Sequence, residues 1–432
     1  MRSVTPDTRV RNPQKPVAAW LQRLFDRGKH FIRFARIYRV EAHSDNPIHL
    51  EGASPFDSLE IRMMETNQKL PLRVGVIGVG NWARHGHLRV LDLLPQYALQ
   101  AVFSQRREAA EAAAREYHIG RVASSVDELI DSADIDLVVV LNTAPQHAQT
   151  VKRVIEAGKD VYCEWPLTTT VAQSQELLEL ARARDVRHMV GLQRRVAPHN
   201  RYVRDLLAQG FVGELRSVRM HVSMNYLQAL RSRALEWTVP PENFSSVVAI
   251  YGGHFMDMVF AATGWPVAIA ALTPNQFPSV TIKETGVSMN TTAPDQLVLM
   301  GMLDERAVLS VHIEGGKRNG SGVQIDITGT EGDLRITNES AFGDVGDDYV
   351  ILGAHGDKQP LARLDVPQGY HRLPASELPS AVLELGELYW AYAHDVSHCT
   401  HEAPDFADAV RMHRLIDGAL ASFSTRRFMF TE

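Results

Sequence analysis

The sequence predicts an α/β protein in which a doubly wound parallel sheet is followed by an α+β domain with a large, open, mixed or antiparallel sheet. Two different periodicities predict this order. Between residues 71 and 194, short β-branched runs alternate with helix-like stretches about every twenty residues, which is typical of βαβ units. Between residues 195 and 432, several segments alternate apolar and polar residues, which indicates strands with one covered face.

The first domain, expected over residues 71–194, opens with a β-branched run that ends in glycine. Pro95 stops the first helix-like stretch near Leu94, and Gly158 closes a later one. The strands are expected at 72–78, 98–103, 136–141, 161–163 and 188–192. The remaining helices are expected at 106–117, 126–132, 146–157 and 171–184. Because crossovers between parallel strands are right-handed, this order predicts a doubly wound sheet.

The second domain, expected over residues 195–432, begins with one more helix at 198–209, which Gly210 ends. Four segments then have the period of two that is typical of half-covered strands, at 215–224, 296–303, 307–313 and 324–328. Two amphipathic helices, at 378–394 and 406–423, are expected to close the chain.

The composition excludes several classes of protein. The chain of 432 residues has 45 Lys and Arg against 51 Asp and Glu, a net charge of −6, which gives no reason to expect a nucleic-acid partner. Its 2 cysteines exclude a disulfide scaffold and a cysteine-rich zinc module. No apolar run reaches the ~18 residues that a membrane-spanning helix needs, so we expect no membrane span.

The N-terminal 70 residues differ in charge from the rest of the chain. Residues 1–40 contain ten basic and two acidic residues. Trp20, Leu24 and Phe31 belong to a set of apolar residues that recur there at helical spacing. We expect residues 1–70 to form a poorly ordered extension. The alternatives are a segment that lies on an anionic membrane and a transit peptide.

A glycine-rich loop follows the first expected strand. Its sequence, Gly78-Val-Gly80-Asn81-Trp82-Ala83, is the G-x-G-x-x-G/A pattern between a strand and a helix. The first glycine permits the tight turn, the second lets the backbone approach a pyrophosphate, and the alanine lets helix and strand pack closely. With the free N–H groups of the helix start, the loop predicts a dinucleotide site, and the alternative is a tight turn without a ligand.

The end of the second expected strand bears on the form of the dinucleotide. A carboxylate at this position binds the adenosine 2′-hydroxyl of NAD, but the sequence here is Phe103-Ser104-Gln-Arg106-Arg107. Ser104 is able to hydrogen-bond a 2′-phosphate, and Arg106 or Arg107 is able to neutralise it. The sequence therefore favours NADP slightly over NAD, unless both arginines are only solvated residues of the next helix.

Several motifs in a fixed order resemble the glucose–fructose oxidoreductase/inositol dehydrogenase family over residues 72–430. They are Gly78-Val-Gly80, Pro145-Gln-His147, Ala157-Gly-Lys-Asp-Val161, Cys163-Glu-Trp-Pro166, Gln193-Arg-Arg195 and Gly252-Gly-His254-Phe-Met-Asp257. The resemblance implies a Rossmann domain, then an α+β domain with an open sheet, and an active site between them. It also implies hydride transfer between nicotinamide and a sugar-like alcohol, in a homodimer or homotetramer formed through the open sheet.

The resemblance also implies the roles of individual residues. His254 is the expected base, since a histidine that titrates near neutral pH accepts the hydroxyl proton as hydride leaves. The alternative for His254 is a structural histidine in a glycine-rich turn. Tyr251 and Arg195 are further catalytic candidates, and Trp165, Arg195, His254 and Asp257 are expected to line the substrate pocket. The remaining expected cofactor-binding residues are Asn142, Pro145, His147, Glu164, Trp165, Pro166 and Gln193.

Two positions depart from the family pattern, in which a lysine follows the glutamate and an aspartate stands four residues before the histidine. Here these positions are Trp165 and Ile250. Tryptophan carries no charge to stabilise an alkoxide, and isoleucine forms no hydrogen bond. Losing one such charged donor costs on the order of 10²-fold in rate. In the enzyme hypothesis, Trp165 becomes a stacking wall against a sugar face.

The Glu-Trp pair also resembles the branch of the family that contains the yeast galactose-regulon repressor. Shared segments are Glu164-Trp165, Lys283-Glu-Thr285, Pro294-Asp295, Gly329-Thr-Glu-Gly-Asp-Leu334 and His413-Arg-Leu-Ile-Asp417. This resemblance implies a second hypothesis, a dinucleotide-binding sensor that docks a regulatory protein and has little or no turnover. In both hypotheses we expect a cytoplasmic protein without a metal site. His85 and His87, which follow the glycine loop, are expected on a solvated helix face.

Overall fold

The computed structural model describes residues 70–341, 348–374 and 376–431, so the expected N-terminal extension lies outside the described residues except for Leu70. The first domain is a six-stranded parallel sheet in the order β3-β2-β1-β4-β5-β6. The strands are β1 Leu72–Ile77, β2 Tyr97–Phe103, β3 Arg121–Val122, β4 Leu137–Val140, β5 Asp160–Cys163 and β6 His188–Val190. The helices are α1 Leu88–Leu93, which follows a π-helical turn Ala83–His87, α2 Arg107–Glu116, α3 Val126–Ile130, α4 Ala144–Glu156 and α5 Val171–Ala183.

This arrangement confirms the predicted Rossmann fold. Strand β4 is buried along its whole length, as the uninterrupted apolar run predicts. Strand β3 was not predicted, because two residues at the edge of a sheet leave no periodic signal. The chain order reverses between β1 and β4, and this is the position where sheets of this kind bind ligands.

The second domain is built on a nine-stranded mixed sheet in the order β17-β16-β15-β14-β7-β13-β12-β9-β18. Its strands are β7 Leu215–Ser223, β9 Ala268–Leu272, β12 Gln296–Met302, β13 Val308–Glu314, β14 Gly322–Gly329, β15 Gly332–Asn338, β16 Val350–His355, β17 Ala362–Arg363 and β18 Met429–Phe430. A separate three-stranded sheet contains β8 Leu230–Arg231, β10 Ser279–Ile282 and β11 Ser288–Asn290. The helices are α6 Pro198–Ala208, α7 Gly253–Thr263, α8 Ser380–His398 and α9 Phe406–Thr425, and short 3-10 turns lie at Gln193–Val196, Arg233–Thr238, Pro241–Asn243 and Gln368–Tyr370.

The large sheet is covered on one face only, as its period of two predicts. On β12, Leu297 and Leu299 are fully buried, whereas Met300 on the opposite face is 57% exposed. Leu272 and Phe430 are exposed as well, at 55% and 81%. The described strands therefore form an open sheet with an apolar side, in agreement with the predicted fold class.

Helix α8 packs into the core of the first domain although it follows the large sheet in sequence. Leu385, Leu388 and Tyr389 are fully buried among side chains of β1 and β4. Tyr97 of β2 donates a hydrogen bond to the Tyr389 carbonyl at 2.6 Å. The second half of the chain therefore contributes a helix to the first domain, close to the dinucleotide loop.

One helical stretch among the described residues, Pro241–Thr263, is long and apolar enough to cross a membrane. In this fold 67% of its apolar window is buried inside the protein. A core helix passes the same test of length and composition.

Candidate functional site

A groove of about 480 Å³ opens where β1, β2 and β4 end. Gly78 turns the chain there with a φ of +102°, and a Cβ at this position would lie 2.8 Å from the Leu141 carbonyl. This position therefore requires glycine. A Cβ on Gly80 would meet no atom within 4 Å, so this part of the backbone faces open space in which a ligand is able to approach. The groove is lined by Ile77, Gly78, Val79, Gly80, Phe103, Ser104, Gln105, Arg106, Val126, Leu141, Asn142, Thr143, Gln146, Gln149 and Thr150.

The groove fits a dinucleotide in its position and in its unused polar groups. The side-chain amide of Asn142 donates to the Thr150 hydroxyl at 3.1 Å, and its buried Oδ1 has no hydrogen-bond partner. A buried acceptor without a partner is costly unless a ligand supplies the donor. Asn142, Gly78 and Gly80 are thus three expected cofactor-binding residues that the structure brings to one groove.

The two arginines after β2 differ in their surroundings. Arg106 lines the groove beside Ser104, whose hydroxyl oxygen accepts a hydrogen bond from the Arg106 backbone N–H at 3.3 Å. Arg107 instead lies on the first turn of α2, where its guanidinium donates to Glu111 at 2.9 Å. The expectation of a phosphate-neutralising arginine therefore falls on Arg106, and the solvated-helix interpretation describes Arg107.

His147 connects the groove to the loop that follows β5. Its two ring nitrogens lie 2.8 Å from the carbonyl oxygens of Asn142 and Pro166. The ring is buried, and burial lowers its pKa, so the neutral ring donates to one carbonyl at a time. The Trp165–Pro166 peptide in this loop is cis. Because its two ring nitrogens lie against the carbonyls of Asn142 and Pro166, His147 holds these two loops together. Pro145, another expected cofactor-binding residue, is exposed at the start of α4.

Glu164, at the end of β5, is held by donors from three directions. Its Oε1 accepts from the Trp82 indole at 3.0 Å, from the Tyr162 hydroxyl at 2.9 Å and from His87 Nε2 at 2.7 Å. Its Oε2 accepts from the backbone N–H of Trp165 at 3.1 Å. Trp82 belongs to the glycine-rich loop and is 36% exposed, so this carboxylate is tied to the cofactor loop.

These contacts fix the charge of Glu164. Burial by itself raises the pKa of the carboxyl, but the hydrogen bond and charge of His87, with His254 and Tyr162, outweigh it and lower the pKa to about 2. The carboxylate is therefore ionised at neutral pH, and it is a permanent negative charge bound to the glycine-rich loop through Trp82. It does not accept a proton in the pH range in which proteins work.

His87 contradicts the expectation of a solvated helix face. It is fully buried, and its Nδ1 lies 2.8 Å from the hydroxyl of Tyr389 on α8. Nε2–H donates to Glu164, because an ionised carboxylate only accepts, and the Tyr389 hydroxyl is able to donate to Nδ1 or to accept from it. The Tyr162 and Tyr389 rings stack at 5.3 Å. A tyrosine of α8 thus supports Glu164 through His87, a connection that sequence reasoning missed.

His254 lies in a helix rather than in the glycine-rich turn that was the structural alternative. A π-helical turn, Val248–Gly252, runs directly into α7, so the two glycines are helical. Burial and the charge of Arg194 lower the pKa of His254 to about 4, and the charge of Glu164 opposes this effect. The imidazole is neutral at pH 7, and its buried Nδ1 has no hydrogen-bond partner. It therefore has the protonation state that a base requires.

Arg194 is a further site residue that the sequence reasoning did not single out. Its guanidinium carbon lies 4.3 Å from the Phe255 ring centre, and its nitrogens donate to the Tyr349 hydroxyl at 3.1 Å and to the Ala341 carbonyl at 3.0 Å. Glu384 of α8 lies 3.5 Å away. Its neighbour Gln193 is buried, and its Oε1 has no hydrogen-bond partner.

Arg195 and Asp257, both expected in the substrate pocket, instead bind each other. The Arg195 Nε donates to Asp257 at 2.8 Å, a second nitrogen makes a short contact with the other oxygen, and a third lies 2.8 Å from Asp408 of α9. Asp257 is fully buried. Burial lowers the pKa of Arg195, but the charges of Asp257 and Asp408 raise it by more, so the pKa lies above its usual value. The geometry is that of a buried ion pair, and the roles of Arg195 and Asp257 towards a substrate stay predictions.

Trp165 is buried as well, with 5% of its surface exposed. Its indole N–H donates to the Ala249 carbonyl at 2.8 Å, and its ring lies 4.8 Å from the His413 ring. A Cβ on Gly253 would lie 2.3 Å from the indole nitrogen. The tryptophan therefore packs against α7 and α9, and this placement corrects the expectation of an open stacking wall.

Tyr251, the third catalytic candidate, lies in the π-helical turn before His254. Its ring meets the Tyr226 ring edge-on at 5.7 Å, and burial and Tyr226 raise its pKa well above the usual range for tyrosine. The hydroxyl is therefore protonated at neutral pH. No group of three or more His, Cys, Asp or Glu in the described part of the chain is arranged to hold a metal ion.

Comparison with known proteins agrees with the two-domain architecture. Residues 72–192 match the oxidoreductase family with an NAD-binding Rossmann fold, and residues 198–338 match the C-terminal domain of Gal80p. Dehydrogenase aclE of Aspergillus oryzae is 29% identical over 245 residues, which cover 54% of this chain and 67% of that protein. The galactose/lactose metabolism regulatory protein GAL80 of Kluyveromyces lactis is 25% identical over 312 residues, covering 67% of this chain and 68% of that protein.

Solved structures share the fold. The super-repressor mutant of Gal80p from Saccharomyces cerevisiae aligns with a TM-score of 0.72 at 20% identity, over 83% of this chain and 97% of that one. Levoglucosan dehydrogenase in complex with NADH and L-sorbose aligns with a TM-score of 0.73 at 20% identity, over 84% of this chain and 100% of that one. One architecture thus accommodates both a regulator and an enzyme.

Proposed function

We propose that this chain transfers hydride between a nicotinamide dinucleotide and a sugar-like alcohol, because residues 72–192 match the oxidoreductase family with an NAD-binding Rossmann fold and residues 198–338 match the C-terminal domain of Gal80p. The observation that carries the proposal is the state of His254. It is neutral, its Nδ1 is unpartnered, and it lies near enough to Glu164 and Arg194 for both charges to affect its pKa. A neutral base beside a fixed carboxylate suits the oxidation of an alcohol.

Each of these residues has its own role in the proposed hydride transfer. The backbone of Gly78 and Gly80 and the side chain of Asn142 bind the dinucleotide, which accepts a hydride when bound. His254 takes the hydroxyl proton as that hydride leaves the same carbon, so the alcohol becomes a carbonyl. The negative charge of Glu164 would favour the cationic, oxidised form of a nicotinamide bound within its field.

For the form of the cofactor we propose NADP, with NAD as the alternative. The support is the pair Ser104 and Arg106 in the groove, where an NAD-selective site has a carboxylate. Replacing Arg106 with alanine should weaken NADP binding about tenfold and leave NAD binding nearly unchanged, as a lost phosphate contact of about 1.4 kcal/mol implies. Arg107→Ala is the control, because that guanidinium is paired with Glu111. Equal losses for both dinucleotides in Arg106→Ala would contradict the preference.

A second candidate function is a dinucleotide-bound sensor that docks a regulatory protein. The observation that favours it is Trp165, which takes the place of the family lysine and is packed against Ala249 and Gly253. No cation is therefore offered at that position to a developing alkoxide. Ile250 likewise replaces the family aspartate and cannot orient His254 by a hydrogen bond.

Titration and turnover separate the two candidates. The purified protein is first titrated with NADP and NAD by calorimetry, then mixed with either and a panel of aldoses while the absorbance of the reduced cofactor is followed. We expect turnover that His254→Asn abolishes, with the exposed His401→Asn as control. Tight dinucleotide binding without turnover on any sugar would favour the sensor. The absence of dinucleotide binding would defeat both.

The assembly and its location are proposals as well. We propose a homodimer or homotetramer that covers the open sheet face, supported by the exposed Leu272, Met300 and Phe430. The proposed location is the cytoplasm. Light scattering of the wild-type protein and of Met300→Lys tests the assembly, since a charge on the covered face should dissociate it.

A further inference from the structure

A second cavity, of about 460 Å³, lies between α5, α9 and the chain around Trp265 and Thr431. It shares no lining residue with the cofactor groove. Three arginines and a tryptophan distinguish it, and we call it the arginine cavity after Arg182, Arg411, Arg414 and Trp265. Neither the family resemblance nor the proposed hydride transfer uses any of these side chains.

The three guanidinium groups have no carboxylate partner within the described residues. Arg414 donates only to the neutral side-chain oxygen of Gln175, at 3.1 Å. Arg411 lies over the Trp265 ring with its guanidinium carbon 4.6 Å from the ring centre. Arg107, by contrast, is an exposed arginine that pairs with an acid, Glu111. The arginine cavity therefore gathers positive charge that the protein itself does not neutralise.

The positions of the arginines explain their convergence. Arg411 and Arg414 are three residues apart on α9 and so lie on the same face of the helix. Arg182 is in the last turn of α5, which packs beside α9. Like charges that line one cavity repel one another, and a bound anion relieves that repulsion.

Apart from Gln175 and Thr431, the rest of the lining is apolar. Leu178, Pro266, Val410 and Leu415 face the same space, and Trp265 adds an aromatic ring. A ligand that fills the cavity therefore has both an anionic group and an apolar part. Guanidinium groups bind phosphate oxygens with two parallel hydrogen bonds, and three of them are able to serve a dianion.

We propose that the arginine cavity binds a free organic phosphate, a phosphate ester whose organic part is apolar or aromatic. The phosphate lies against the guanidinium groups of Arg182, Arg411 and Arg414. The organic part packs on the leucines and extends the stack formed by Arg411 and Trp265. The site is separate from the dinucleotide groove, so it does not depend on the proposed hydride transfer.

The test uses phenyl phosphate as the probe, with inorganic phosphate as a second ligand and the full-length protein saturated with NADP. Isothermal titration calorimetry should give saturable binding of one phenyl phosphate per chain. Inorganic phosphate should bind at least fivefold more weakly, since it lacks the organic part. The double variant Arg411→Gln/Arg414→Gln should bind phenyl phosphate at least tenfold more weakly, and Arg182→Gln alone severalfold more weakly.

Arg216→Gln is the matched control, because Arg216 is exposed on β7 and does not line the cavity. It removes one positive charge and should leave the affinity unchanged. All of these arginines are exposed, and a thermal unfolding curve verifies that each variant folds. Heat that does not saturate, equal affinity in the double variant, or displacement of phenyl phosphate by NADP from unsaturated protein would each overturn the proposal. A failure of dinucleotide binding alone would leave it standing.

Discussion

His413 should make the protein less stable as the pH falls, because its buried ring has no means of holding a proton. The ring lies between Trp165 and Phe244, at 4.8 and 4.7 Å, and neither ring nitrogen has a hydrogen-bond partner. Burial lowers its pKa from the ordinary 6.5 to about 3. His413 is therefore protonated below about pH 6.5 in the unfolded chain, but only below about pH 3 in the folded protein.

The size of this effect follows from the difference in pKa. Each pH unit below 6.5 costs about 1.4 kcal/mol, so at pH 5 the folded state loses about 2 kcal/mol to the protonated unfolded chain. The loss is complete near pH 3, where the folded state also takes up the proton. Leucine at position 413 has nearly the volume of histidine and no polar atoms, so His413→Leu removes the loss. At pH 7 the substitution should change stability little, because it also removes two unpartnered buried nitrogens.

The assay is urea unfolding of the wild-type protein and His413→Leu at about pH 7 and pH 5. Other groups titrate in both proteins, and their contributions cancel in the difference between the two pH profiles. His401→Leu, at an exposed position, controls for the loss of a histidine. We expect the wild type to lose about 2 kcal/mol more than His413→Leu between these pH values. Parallel profiles would refute the reasoning.

Three further predictions concern the connections around the site. Arg195→Met should cost about 3–5 kcal/mol of stability, because it leaves the buried Asp257 unpaired, and adding Asp257→Leu should recover most of that loss. Urea unfolding measures both variants, and a loss below about 1 kcal/mol in Arg195→Met would refute the ion pair. Trp82→Phe removes one donor to Glu164 and should lower the melting temperature by a few degrees, as a lost hydrogen bond of about 1 kcal/mol implies. His147→Phe separates the groove loop from the Pro166 loop and should weaken dinucleotide binding severalfold in calorimetry, so unchanged affinity would contradict its bridging role.

The first domain was predictable because its signals are local. Gly78 is required by the turn at the end of β1, and the apolar run of β4 is buried as a unit. Such features are determined by residues that are adjacent in sequence. The edge strand Arg121–Val122 lacks that signal because it is only 2 residues long.

The contacts of the site were not predictable, since they join residues that are distant in sequence. His87 was expected on a solvated helix face, yet its partner Tyr389 lies 302 residues away in sequence. The ion pairs of Arg195 with Asp257 and Asp408 were not predictable either, because both aspartates lie far from it in sequence. A single sequence gives the type of each side chain but not which charges cancel each other.

The missing lysine affects the rate of the proposed reaction, and the question is whether Arg194 replaces its charge. Arg194 brings a buried positive charge close enough to lower the pKa of His254, so the field of a cation is present at the site. Two of its five N–H donors, however, bind Tyr349 and Ala341, and no donor takes the place of a lysine at position 165, since the indole N–H there is bound to Ala249. The electric field of a cation that donates no hydrogen bond stabilises an alkoxide less than a charged hydrogen bond does. The reaction is slower as a result, by on the order of 10²-fold. The geometry thus supports a slow oxidoreductase, and the same burial of Trp165 that removes the donor is what makes a sensor the coherent alternative.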